Sequence, residues 1–199
     1  MDTRWNGHVQ FRYVDNRTRA GDRVIGRRQF GSYAQFSPSR RVALVTVNGT
    51  LGQDIDFDNA RPAHGPTFNS ELTLQASDHL AIDLIENVRA LHVDAGAADD
   101  ALLFTQRVSR VKTTYTFTSR LFVRVIAQYV STSRDPSLYV DSVDARSGTF
   151  GGSALLAYKI NWQSVMFVGY GDDRELADQR TLAPLDHQVF VKMSYAFQR

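Results

Sequence analysis

Asp54, Asp56 and Asp58, within Asp54-Ile55-Asp56-Phe57-Asp58-Asn59, stand at the alternate spacing that lets three carboxylates converge on a hard cation such as calcium. The rest of a calcium loop is lacking. Asn59 occupies the sixth position, where a glycine is needed, and Gly65 the twelfth, where a bidentate glutamate is needed. Two further pairs, Asp99-Asp100 and Asp186-His187, have the residue types for hydrolysis, because a histidine held by a carboxylate can activate a water. Both are common dipeptides, so they carry catalysis only if the fold unites them. His8, His64, His79, His92 and His187 show no pair four apart as on a metal-binding helix. Gly148-Thr149-Phe150-Gly151-Gly152-Ser153 has no lysine after it to cradle a phosphate and reads as a flexible loop leading into a strand. The chain has no cysteine, which excludes a disulfide scaffold, a cysteine–zinc site and cysteine catalysis. No pattern calls for a cofactor, and neither a catalytic nor a metal centre is assigned.

The elements that position these residues follow from composition and period. At 199 residues the chain suits one domain. A net charge of +2 with scattered basic residues argues against nucleic acid as a partner. Mean hydropathy is −0.30, and no apolar run approaches the ~20 residues of a spanning helix. No charged-then-apolar signal segment opens the chain. Of 23 basic residues 20 are Arg, and of 21 acidic residues 18 are Asp, so good surface helix formers are scarce and turn formers plentiful.

Alternation of apolar and polar residues is the dominant signal. Val9, Phe11 and Tyr13 alternate with His8, Gln10 and Arg12. Leu72 and Leu74 alternate with Glu71 and Gln75; Val111, Thr113 and Tyr115 with Lys112 and Thr114; Val123 and Val125 with Arg124 and Gln128. Val189, Val191, Met193, Tyr195 and Phe197 form one face of the last run, opposite Lys192. Weaker runs cover 24–36, 41–52, 150–160 and 164–170. Segment 80–92, with Asp83 on its polar side, has both strand and helix spacing, and its strand neighbours favour strand. The total is about ten strands.

Connections of two lengths are expected to alternate: tight at 37–40, 77–79, 118–120 and 161–163, long at about 15–23, 53–66, 94–103, 134–148 and 171–187. In an up-and-down order all tight turns fall at one end, as in outer-membrane barrels. Fifteen of the 18 aspartates fall in the expected long loops. Ionised carboxylates are costly in hydrocarbon and cheap in water, so this segregation suits a sheet in lipid. Aromatics near both strand ends suit two interfacial belts. Gln10, Arg12, Glu71, Gln75, Asp83, Lys112, Arg124, Gln128 and Lys192 would then face a lumen, narrow and mostly filled if only ten strands close it. The acidic stretch around Asp54 would be a solvated loop able to bridge divalent ions to lipopolysaccharide phosphates.

Phe190-Val191-Lys192-Met193-Ser194-Tyr195-Ala196-Phe197-Gln198-Arg199 resembles the terminal strand that bacterial outer-membrane proteins present to their barrel-assembly machinery, although two residues follow Phe197. The Asp99-Asp100 and Asp186-His187 pairs resemble the acidic and Asp/His pairs of ten-stranded outer-membrane proteases. The segments Val111 to Arg124, Leu155 to Gln163 and Phe190 to Arg199 resemble the C-terminal barrel region of a large bacterial family of uncharacterised role. Full-length members of that family begin with a family 9-like carbohydrate-binding domain and are often labelled membrane-associated hydrolases. The resemblance covers most of the chain, is clearest over 104–199, and rests on strand and turn patterns.

The expectation is therefore an all-β, antiparallel up-and-down transmembrane β-barrel of about ten strands in the outer membrane of a Gram-negative bacterium. Residues 1–199 would form a single domain, a C-terminal fragment of a longer protein whose missing strands could enlarge the barrel. Its expected partners are outer-membrane lipid and lipopolysaccharide, the barrel-assembly machinery and an oligosaccharide ligand. Its expected role is a membrane-embedded scaffold or transport module. The alternatives are a surface hydrolase acting through its long loops and a soluble β-sandwich or lipocalin-like binding protein.

Overall fold

A computed structural model describes residues 6–96, 98–178 and 180–196, without the side chains of Ala95, Ala98 and Asp99. Among the described residues eleven antiparallel strands form one sheet: β1 (His8–Ala20), β2 (Arg23–Phe36), β3 (Val42–Asp56), β4 (Arg61–His64), β5 (Thr67–Gln75), β6 (Leu80–Ala95), β7 (Ala98–Thr118), β8 (Leu121–Arg134), β9 (Arg146–Lys159), β10 (Ser164–Ala177) and β11 (Thr181–Tyr195). The only helical element among them is a 3-10 turn, Pro136–Leu138. No helix among them is long and apolar enough to cross a membrane.

Every strand pairs with its neighbours in chain order, from β1 at one end to β11 at the other. The pieces β4 and β5 occupy one position in this order. Both lie between β3 and β6, and their registers against each are continuous: Gln53↔His64 and Thr50↔Thr67 belong to one count, as do His64↔His92 and Thr67↔Arg89. The break falls at Gly65-Pro66, where proline lacks the N–H that a ladder needs. The sheet thus has ten strand positions, matching the number of alternating runs. Segment 80–92 is strand, as its neighbours implied, because its helical spacing is overridden by pairing on both edges.

The connections differ from expectation. Only two residues separate β1 from β2, four separate β3 from β4, two separate β6 from β7, and three separate β10 from β11. Residues 135–145, between β8 and β9, form the one long connection at that end. The expected long loops are instead outward extensions of paired strands, and Asp15, Asp54, Asp56, Asp94, Asp100, Asp172, Asp173 and Asp186 lie on strands. Alternation fades on the β1 and β10 extensions because polar residues occupy both faces there, while backbone pairing continues without needing a hydrophobic face. The glycine-rich segment also belongs to a strand, β9. A Cβ on Gly148 would stand 2.9 Å from the Tyr129 hydroxyl of β8, so this glycine makes room for a neighbour's ring.

The register divides the sheet into two faces. One row crosses all ten positions: His8, Gln35, Thr46, Glu71, Ile85, Arg110, Gln128, Gly151, Asp173, Asp186. Gln10, Arg12, Gln75, Asp83, Lys112, Arg124 and Lys192 share that face. On the other face runs the row Leu80, Tyr115, Val123, Leu156, Val168, Val191.

On β7 the apolar residues are the more exposed set. Val111, Tyr115 and Phe117 are 42%, 39% and 51% exposed, while the alternate Lys112, Thr114 and Thr116 are only half-buried. A sheet that hides its apolar face from water shows the reverse order. Buried hydrophobic side chains are few: among the described residues two small clusters, Ala63, Leu91, Val93 and Leu103, and Ala20, Ile25 and Ile55, with Ala157 of β9 apart from them.

Candidate functional site

The tight turns at 37–41, 76–79, 119–120 and 160–163 define the near end of the sheet, and the strand extensions define the far end. At the near end the polar face is held by short side-chain links. Asp83 accepts from Thr73 Oγ1 at 2.9 Å and pairs with Lys112 Nζ at 2.6 Å. The guanidinium of Arg124 lies over the Phe122 ring, 5.6 Å from its centroid.

The far end holds the concentration of charge. Asp54, nearly buried, lies between Arg89 Nη2 at 2.8 Å and Arg27 Nε at 3.4 Å. Asp56 accepts from Arg61 Nε at 2.8 Å and Asn59 Nδ2 at 2.7 Å. Two members of the alternate-aspartate motif are therefore committed to guanidinium groups, and Asp58 is exposed on the turn between β3 and β4. A hard cation at this position would compete with three arginines, so the motif works as an anchor for positive side chains.

The 135–145 connection crosses the polar face at this end. Asp135 starts it by accepting from the backbone N–H and hydroxyl of Ser137, at 3.0 and 2.7 Å. These bonds hold its exposed carboxyl below the usual carboxylate range. Leu138 and Tyr139 then pack on Ala63, Leu91, Val93 and Leu103, reaching over β7 and β6 to β4. Arg61 Nη2 donates to the Leu138 carbonyl at 2.6 Å, and the Val140 N–H donates to Asn59 Oδ1 at 3.2 Å. Burial against this apolar cluster pushes the Tyr139 phenol up.

Between the β1–β2 hairpin and the β3–β4 hairpin lies a cleft of about 920 Å³, lined among others by Asp15, Arg17, Arg23, Arg28, Asp54, His64 and Asp94. Gly52 opens it. Gln29↔Gly52 is the last pair between β2 and β3. Gly52 has φ +135°, and a Cβ there would stand 2.4 Å from the Arg28 carbonyl oxygen, so only glycine lets β3 turn away at this point.

The two proposed hydrolytic pairs are not brought together. Asp186 and His187 lie on β11, where the Asp186 carboxylate accepts from the His187 backbone N–H at 2.8 Å. Asp100 lies on β7, with β8, β9 and β10 between, and the side chain of Asp99 is outside the described residues. Phe197 of the expected terminal strand is also outside them, while Val189, Val191, Met193 and Tyr195 share one exposed face of β11.

Asp100 meets a different histidine. His64 Nε2 is 3.0 Å from Asp100 Oδ1, and the His64 and His92 rings stack 5.7 Å apart. His64 and His92 are direct partners across β4 and β6. Asp100 stands two residues from Leu102, which pairs with His92, so all three lie on the same face. Sequence spacing hides this cluster, because the histidines are 28 residues apart. The hairpin turn reveals it: from the pair Gln75↔Ala81, eleven residues back along the chain reach His64 and eleven forward reach His92.

Comparison with protein-family models, with curated proteins and with solved structures gives no match to this chain.

Proposed function

We propose that this chain forms a transmembrane β-barrel domain in the outer membrane of a Gram-negative bacterium, acting as a membrane-embedded scaffold or transport module. Its nearest kind would be the C-terminal barrel region of the family whose members carry a family 9-like carbohydrate-binding domain. One observation carries this reading: most of the exposed large apolar residues form a band that runs obliquely across the register rows. On β10 and β11 the band occupies Met166, Val168 and Tyr170 with Val189, Val191 and Met193. On β1, β2 and β3 it has climbed to the row Tyr13, Phe30, Leu51. That row becomes polar farther along the sheet, at Thr105 and Ser133. Strands inclined ~35–45° to a flat hydrocarbon slab need this drift, because the slab cuts each successive strand at a shifted residue.

Strand length fits as well. At 13 to 21 residues, with β4 and β5 taken as one position, the strands exceed the ~9–11 that cross a bilayer, leaving paired extensions beyond it. The polar face would line the lumen, and the 135–145 connection would narrow its far mouth. Lipopolysaccharide phosphates would meet the arginines of the far end, the assembly machinery would engage β11, and an oligosaccharide would be the solute or ligand at the mouth.

The test is gel mobility after refolding in detergent. A barrel resists SDS until boiled and shifts its mobility when boiling unfolds it. A clean, monomeric, folded protein in buffer without detergent would overturn the proposal.

A further inference from the structure

We infer that His64, His92 and Asp100 form a binding site for a divalent transition cation, zinc by preference, on the apolar-patterned face of the sheet at its far end. The donor set is two imidazoles and one carboxylate, borderline-soft nitrogen with oxygen, which suits zinc better than calcium or magnesium. Their ligand atoms all lie within 4.8 Å of one another. A tetrahedral ion with bonds of ~2.0–2.1 Å needs donors about 3.4 Å apart, so small side-chain rotations suffice. His64 Nε2 and Asp100 Oδ1, at 3.0 Å, are already within that distance.

The backbone is specialised around the three residues. β4 and β6 share only the pair His64↔His92. The β6–β7 register shifts between Leu91 and His92, and again between Val93 and Ala95. Gly65, next to His64, has φ +156°, and a Cβ there would stand 2.1 Å from the Ala90 carbonyl oxygen, so glycine permits the close approach of the two strands. The cluster thus sits where the ladder between β4, β6 and β7 is weakest. An ion held by one residue from each strand would fasten all three.

Position also favours access. His64 pairs with Gln53, two residues beyond Leu51 of the apolar band, and pairs with His92 on the other side. Two residues are about 7 Å of strand, which places the cluster just past the band on these strands. The side chains of His64 and Asp100 are 44% and 65% exposed, and His64 also lines the arginine-bearing cleft. Three protein ligands leave a fourth position for water or for an anionic oxygen entering from that cleft. The inference is independent of barrel closure, because the three strands are neighbours in either case.

Zinc titration of the refolded full chain, in competition with a chromogenic chelator, tests the site. One zinc ion per chain is expected. His64→Ala and His92→Ala should each weaken binding by more than about 100-fold, beyond the 10–100-fold typical of changes behind the ligands. Asp100→Ala should weaken it less, and Asp100→His, which keeps a donor, should restore it. His79→Ala and His187→Ala, remote from the cluster, should bind as the parent does. Circular dichroism of each variant checks the fold, and His92→Gln replaces any variant that loses it. Absence of stoichiometric zinc in the parent, or the same affinity in a His64→Ala/His92→Ala double variant, would overturn the inference.

Discussion

The near and far halves of the sheet share one backbone ladder and obey opposite rules. In the near half, Val123, Leu156, Val168 and Val191 form an unbroken apolar row on the more exposed face, while Asp83, Lys112 and Thr73 satisfy one another on the sheltered one. In the far half small apolar clusters are buried instead. Leu91, Val93 and Leu103 are buried under Leu138 and Tyr139, and acids and arginines are paired around them. The difference shows that pairing alone builds the sheet. In the proposed barrel the surrounding solvent would decide which face is apolar, and the change of pattern along each strand would mark where that solvent changes.

The largest expected effect separates the halves directly. Val125→Arg, on the apolar face between Thr113 and Ala154, should lose about 2–4 kcal/mol in denaturant titrations of lipid-embedded protein. Val140→Arg, at a far-end residue 88% exposed, should stay within about 0.5 kcal/mol of the parent. Equal tolerance of both would erase the distinction.

Next comes Asp54→Ala, which strips Arg27 and Arg89 of their shared carboxylate. A loss of about 1–3 kcal/mol is expected by the same titration, less than for a fully buried pair because both arginines are partly exposed. If added calcium stabilised the parent and not this variant, Asp54 would be a cation ligand and not an arginine anchor.

Arg61→Met should cost about 1–2 kcal/mol through its bonds to Asp56 and the Leu138 carbonyl. Its signature is local. Hydrogen exchange should rise in residues 135–145 and not in the near-end turns. A uniform rise would mean that the connection is no separate element.

The smallest effect is a pH response of that connection. The Asp135 carboxyl is held below its ordinary value by bonds from Ser137. Its contribution is therefore complete above the ordinary carboxylate value near pH 3.9 and fades as pH falls through the lowered one. The Ser137 amide resonance should move with a midpoint below the ordinary carboxylate value. Asp135→Ala should lack that step.

Ten strand positions were legible because alternation needs only one face to contact an apolar phase, and residues such as Val111, Lys112, Thr113 and Thr114 record it locally. The far-end extensions were not. Around Asp15 and Asp172 both faces are polar, around Asp54 and Asp94 the apolar Ile55 and Val93 stand among acids, and such short polar stretches look alike in a loop and in a solvated hairpin. The alternate-aspartate motif was legible as an acidic cluster but not as an arginine anchor, since Arg27 and Arg89 arrive from β2 and β6.

By itself, the sequence determined the ten strand positions, their order and which residues share a face, because side-chain period and tight turns are properties of neighbouring residues. Tertiary structure alone decided what meets across strands. It placed His64 against His92 and Asp100, carried the 135–145 connection to Arg61, and tilted the apolar band across the rows. Register accumulates over many residues, and a single break such as Gly65-Pro66, or a bulge at Leu91/His92, sets partners that no local pattern contains.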